Sequence, residues 1–167
     1  VYVYEFIINS WIEKQQLFHS DRAVNDWFGS SVAISGNYAI IGAYYDDDKG
    51  DASGSAYIFE RDTSDGTWIQ KQKLLASDGN SNDHFGRALA ISGDYAIVGA
   101  FQNNDNGSSS GSAYIFERNI DGNWNQKPKL IPSHGDSYVQ FGRAVAISGD
   151  YAIIGSPGDC LLYTSPS

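Results

Sequence analysis

Four kinds of hydrophobic pattern follow one another along this chain, and then the same order repeats. In the first full copy, "SSVAISG" from Ser30 interleaves Val32 and Ile34 with small or polar residues. "YAIIGA" from Tyr38 is apolar throughout, as expected of a strand buried on both faces. "GSAYIFER" from Gly54 is rich in aromatic and β-branched residues, which favour strands. "TWIQKQKLL" from Thr67 alternates Trp68, Gln70, Gln72 and Leu74 with Ile69, Lys71 and Lys73. Its polarity suits an outer strand partly facing water, whose lysines discourage edge pairing. The connections agree with hairpins: Gly36-Asn37, Gly93-Asp94 and Gly149-Asp150 between first and second segments, and Asp65-Gly66 and Asp121-Gly122 between third and fourth. Helix signals are absent.

The period is set by landmarks. "FGSSVAISGNYAIIGA" at Phe28 returns as "FGRALAISGDYAIVGA" at Phe85 and "FGRAVAISGDYAIIGS" at Phe141, and Trp11, Trp68 and Trp124 keep step. Four short antiparallel strands repeated at this spacing predict the blades of a β-propeller, an all-β fold. Residues 1–19 read as the third and fourth strands of one blade, 28–75 and 85–131 as full blades, and 141–159 as the first and second strands of another. Propellers close with about 4–8 blades. The chain therefore reads as a fragment, about three blades of a larger ring, with unpaired edges and apolar blade faces exposed. In this reading the repeated motif is scaffold: each blade must bury its faces against the next.

Composition narrows the class. The chain has 167 residues, 41% of them hydrophobic and 14% aromatic, which excludes a disordered chain. A net charge of −9 makes nucleic acid and anionic membranes unlikely-matched partners, since such a surface repels phosphate. No apolar run is long enough to span a membrane. The final "CLLYTSPS", residues 160–167, matches nothing else in the chain and equals the translation of a transposase sequencing adapter; it reads as adapter rather than natural protein, the alternative being a natural tail that matches by chance. The only cysteine, Cys160, lies within it, so no thiol chemistry is assigned.

The "FG" and "GA" pairs, Phe28-Gly29 with Gly42-Ala43, Phe85-Gly86 with Gly99-Ala100, and Phe141-Gly142 with Gly155-Ser156-Pro157, resemble the FG-GAP repeat, found in the propeller of integrin α subunits and in many surface proteins. "WIQKQKLLASDG" from Trp68 is similar to the cysteine-free bacterial type. The resemblance implies a propeller that carries varied loops. It also brings an expectation of calcium, which integrin-type repeats hold in an aspartate-rich loop between first and second strands. Here that connection is a two-residue turn, too short to wrap a cation that takes 6–8 oxygens. The integrin calcium site is therefore not carried over.

Other residues are candidates for chemistry. Asp46, Asp47, Asp48 and Asp51 in "YYDDDKGDASG" offer hard oxygens for calcium, and Asp105 is the one carboxylate of the matching loop "FQNNDNGSSSG"; a solvated acidic loop is the competing reading. No cofactor is required. Asp21, Asp26, Asp78 and Asp83 recur before each FG and read as turn caps. The residue preceding each FG varies, as Trp27, His84 and Gln140, so a ligand face can be written there, unless Trp27 simply packs on the next blade. Asn106-Gly107-Ser108 is an N-glycosylation acceptor pattern that also arises by chance. His19, His84 and His134 lack consistent catalytic partners. The expectation is a non-enzymatic extracellular or cell-surface propeller for adhesion or for binding a protein or glycan ligand. The alternatives are an accessory propeller of a larger secreted hydrolase and an intracellular interaction scaffold.

Overall fold

The computed structural model describes residues 1–133 and 136–159; His134 and the adapter-like residues 160–167 lie outside them. The described residues contain strands and no helix, so none is long and apolar enough to cross a membrane. Strands β1 (Tyr2–Ile7) and β2 (Ser10–Gln16) form one antiparallel pair. Strands β3 (Ser31–Ser35), β4 (Tyr38–Ala43), β5 (Ser55–Arg61) and β6 (Trp68–Leu74) form a four-stranded sheet in chain order. Strands β7 (Ala88–Ser92), β8 (Tyr95–Ala100), β9 (Ser112–Arg118) and β10 (Trp124–Gln126) repeat it. A last pair joins β11 (Ala144–Ser148) to β12 (Tyr151–Gly155). These all-β, propeller-like blades do not close into a ring.

Burial follows the sequence pattern. The apolar second strands β4 and β8 are buried along nearly their whole length. On one side of β4, Ile41 and Ala43 join Leu17, Tyr57, Phe59 and Trp68 against Val1 and Val3 of the preceding pair. On the other, Ile40 joins Ile58, Leu74, Phe85, Val98, Tyr114 and Trp124 of the next sheet. Each sheet is thus a partition between two cores. The FG pair precedes its strand rather than beginning it: Phe85 is fully buried, edge-on to Tyr114 and tilted steeply to Phe116, and β7 starts only at Ala88. Apolar residues remain exposed at the two outlying sheets, among them Tyr4, Phe6, Tyr151 and Ile153.

The outer strand departs from simple alternation. Ile58 pairs with Gln72 and Phe59 with Gln70, leaving Lys71 as a β-bulge. A bulge reverses the parity of every side chain after it. Trp68 and Gln70 face the preceding sheet, where Gln70 Oε1 accepts the Ser20 N–H at 2.9 Å. Gln72 and Leu74 face the following sheet, so the uniform alternation of Trp68, Gln70, Gln72 and Leu74 is corrected by the bulge. Gln72 there receives the Trp124 N–H at 2.8 Å and donates to the Trp124 carbonyl at 2.8 Å. Gln15, just past the matching bulge at Lys14, holds Trp68 in the same way. Lys73 swings inward, which contradicts its reading as an edge-blocking surface lysine. In the next repeat Pro128 has no N–H to give; β10 stops at Gln126, and pairing resumes only where Leu130 bridges Ala113.

Neighbouring sheets approach backbone to backbone. A Cβ on Gly42 would lie 2.1 Å from the Gly86 carbonyl oxygen, and one on Gly99 1.9 Å from that of Gly142. The Ser31 hydroxyl donates to the same Gly86 oxygen at 2.6 Å. We expect Gly42→Ala and Gly99→Ala each to cost about 1–3 kcal/mol or more in urea denaturation, because the sheets must part to admit a methyl group. Gly93→Asn should be close to neutral: that turn residue has φ +57, which Asn tolerates, and open space around its Cβ position. Equal losses at all three positions would show that close approach is not the constraint.

Candidate functional site

The inward turn of Lys73 assembles a charged cluster from three separate segments. Its Nζ lies 2.5 Å from Asp21, 3.0 Å from Asp46 and 2.7 Å from Asp48. Oxygens of these three carboxylates come within 4.8 Å of one another, the arrangement of a metal-ligand set, with an ammonium among them. The Tyr57 hydroxyl lies 3.0 Å from both Asp21 and Asp46. The next repeat rebuilds the cluster with Lys129 paired to Asp78 and Asp105, and with the Tyr114 hydroxyl donating to Asp78. There Asn103 stands where Asp46 was, buried and donating to Asp83 at 3.1 Å.

Of the sequence candidates, then, Asp46, Asp48 and Asp105 converge on a cation, but Asp47 and Asp51 do not. The Asp47 carboxylate turns away to accept the Ala52 N–H at 2.8 Å, and Asp51 offers its backbone carbonyl to Asn82. Consecutive residues of a loop point different ways, which explains the split. Asp26 and Asp83 cap turns as expected, accepting the N–H groups of Ala23 and Asn80. Asp21 and Asp78 instead join the lysine clusters. Sequence reasoning missed Lys73 and Lys129; their shared place five residues after Trp68 and Trp124 was the available signal. Asn106 is half-buried in its loop, and its N–H donates to Ser110.

The charges have physical consequences. Burial pushes the Asp21 carboxyl up, yet hydrogen bonds from Lys73, His19 and Tyr57 outweigh it and hold the group at about 2. Asp78 is lowered in the same way by Lys129 and Tyr114 against burial. Burial pushes the Lys73 ammonium down, but hydrogen bonds to Asp21, Asp48, Tyr57 and Asp46 outweigh it and hold the group above the usual range. Asp83 goes the other way, raised chiefly by burial.

The second group of candidates lies at the FG turns. Trp27, His84 and Gln140 all have left-handed backbones, with φ of 56°, 55° and 55°. Such a conformation costs a bulky residue energy and persists only where the surroundings impose it. At His84 and Gln140 the loop of the preceding sheet imposes it. The N–H groups of Asn82, His84 and Phe85 donate to the carbonyls of Asp51, Ala52 and Ser53, and Tyr138, Gln140 and Phe141 repeat the ladder on Ser108, Ser109 and Ser110. Trp27 is 59% exposed and packs against Tyr44 and Tyr45 of its own sheet's loop. His84 meets the same two rings edge-on and stacks on Phe101 at 5.5 Å. Burial, helped by the Arg87 charge, lowers the His84 pKa and favours the neutral imidazole. Gln140 accepts from Arg143 and stands apart from the rings.

The lowered carboxyls of Asp21 and Asp78 give stability that is present above their ordinary value of 3.8 and is lost as pH falls towards about 2. We expect Tm to drop over that window; Asp83 acts on the other side of 3.8, where protonation of its raised carboxyl adds stability as pH falls towards that value. Lys73→Met should cost about 2–3 kcal/mol at pH 7, because it leaves buried Asp46 unpaired. It should also flatten the acid slope. An unchanged slope in Lys73→Met would remove Lys73 as the cause.

A family model for the FG-GAP repeat matches residues 11–59, 68–116 and 124–161. Each matched unit starts on the outer strand of one sheet and, in the two complete matches, ends on the third strand of the next, so the sequence repeat straddles the boundary that Gln15 and Gln72 bridge. No curated protein matches the chain. With the Phe-Gly turns, the glycine contacts and the four-stranded sheets in register with those matches, the chain belongs to the FG-GAP repeat family.

Proposed function

We propose that this chain is a non-enzymatic, ligand-binding part of a β-propeller in an extracellular or cell-surface protein, serving adhesion or ligand capture. FG-GAP repeats are typical of extracellular proteins, and the propeller-like scaffold suits binding. One observation carries the reading. Most of the recurring side chains pack between sheets, whereas the positions just before each FG, all at positive φ, carry Trp, His and Gln, and two of them stand in an aromatic cluster open to solvent. A rigid frame that presents varied side chains is how loops acquire recognition.

The same reading assigns the acidic loops to structure. Lys73 and Lys129 supply the positive charge that a calcium ion would otherwise bring to Asp21, Asp46, Asp48, Asp78 and Asp105. We expect Tm to be the same, within about 1 °C, in EDTA and in millimolar calcium; a rise of several degrees with calcium would restore the metal reading.

Binding is tested by passing panels of glycans and of purified extracellular proteins over the immobilised 167-residue chain. Trp27→Asn and His84→Asn keep a residue that accepts the left-handed backbone, so they remove the side chain without breaking the turn. Each should weaken a captured ligand about tenfold, as expected for an exposed aromatic anchor. Lys71→Ala on the outer strand should leave it unchanged, and the ligand should be recovered chemically intact. Binding indifferent to both FG-turn variants would sink the proposal.

A further inference from the structure

Beside His84 the FG-turn face holds a cavity of about 240 Å³ lined by Tyr44, Tyr45, His84, Arg87, Phe101 and Arg143. Its two arginines are placed alike in consecutive repeats. Arg87 stands 5.3 Å over the ring of Tyr44, and Arg143 stands 5.3 Å over Phe101. Both are exposed, and among the described residues neither has a carboxylate within ion-pair distance; Arg143 donates only to the Gln140 amide. In a chain of net charge −9, two neighbouring guanidiniums without a carboxylate partner are out of keeping with the rest of the surface. His84 adds a third polar group: its Nδ1 is buried and has no hydrogen-bond partner among the described residues.

Building on the ligand-binding reading above, we propose that this cavity binds an acidic sugar, a single uronate ring whose carboxylate lies between Arg87 and Arg143. The planar guanidinium fork matches a carboxylate in two hydrogen bonds. Guanidiniums already lie over Tyr44 and Phe101, and the exposed ring of Tyr45 is the aromatic surface left to pack against the C–H face of a pyranose ring. The volume admits one such ring. A peptide segment needs partners for its own backbone N–H and C=O groups, and the loop backbones that border this face are already engaged in the ladder from residues 82–85 to 51–53. The carboxyls nearest in sequence, Asp46 and Asp83, are buried and already engaged, Asp46 by Lys73 and Asp83 by the Asn80 N–H, so they leave the cavity without a competing anion.

The test is an NMR titration of the ¹⁵N-labelled 167-residue chain with glucuronate, with glucose as the neutral ring and N-acetyl-aspartate amide as the peptide-like acid. Glucuronate should shift the backbone N–H signals of His84, Arg87 and Phe101 saturably, at least tenfold more tightly than glucose. Arg87→Met and Arg143→Met, at exposed side chains, should each weaken it about tenfold while leaving distant signals in place. Equal binding of glucose, tighter binding of the aspartate derivative, or no saturable shift at these residues would each overturn the acidic-sugar assignment. The broader reading fails separately. If panel ligands still depend on Trp27 and His84 while glucuronate does not bind, only the sugar assignment is lost.

Discussion

A single unpaired residue in the outer strand β6 lets one thin sheet serve two neighbours. At Lys71 the bulge reverses the side-chain parity, so β6 sends Trp68, Gln70 and Lys73 to one side and Gln72 and Leu74 to the other. Without it, strict alternation would put Trp68, Gln70, Gln72 and Leu74 on one face and Ile69, Lys71 and Lys73 on the other. The amide of Gln72 could not then meet the backbone of Trp124, nor could the ammonium of Lys73 reach Asp21 and Asp46. The bulged lysine itself is not idle, since Lys71 pairs with Glu60 and Lys14 with Glu5 on the adjacent strand. These exposed pairs contribute little energy, but they favour the extra residue staying outside the ladder.

A second constraint acts on the opposite side of the sheets. Gly42 and Gly99 let backbones touch where side chains would hold them apart, and beside Gly42 the Ser31 hydroxyl turns that proximity into a hydrogen bond. Packing is thus tight at the glycine side and bridged by long side chains at the outer strand. Between these limits sit the aromatic residues Phe85, Tyr114, Phe116 and Trp124, large enough to fill the wedge.

The electrostatics follow from this geometry. Buried carboxylates are costly unless something positive or hydrogen-bonding meets them. The first repeat meets Asp46 with Lys73 and the Tyr57 hydroxyl, whereas the second replaces the acid with Asn103 and keeps the lysine for Asp78 and Asp105. Different residues reach the same balance. The FG-turn face is organised on another principle: at His84 and Gln140 the backbone is pinned by the loop of the preceding sheet, which leaves side-chain identity free to vary.

The sequence by itself determined the strands, their order and their period, because these rest on local alternation, hairpin residues and exact recurrence. It also marked Trp27 and His84 as presented side chains, since their variation stands out against an otherwise constant frame. What only the tertiary structure decided is which residues meet. A bulge cannot be read from the run of four polar residues Gln70 to Lys73, so the faces of Gln72 and Lys73 were invisible until strand pairing placed them. The five aspartates singled out as hard oxygens were likewise separated by loop conformation into three that face a lysine and two that do not. The arginines at Arg87 and Arg143 look in sequence like ordinary surface charges. Stacking one repeat on the next is what sets them over Tyr44 and Phe101, because contact between repeats depends on a register that no single repeat contains.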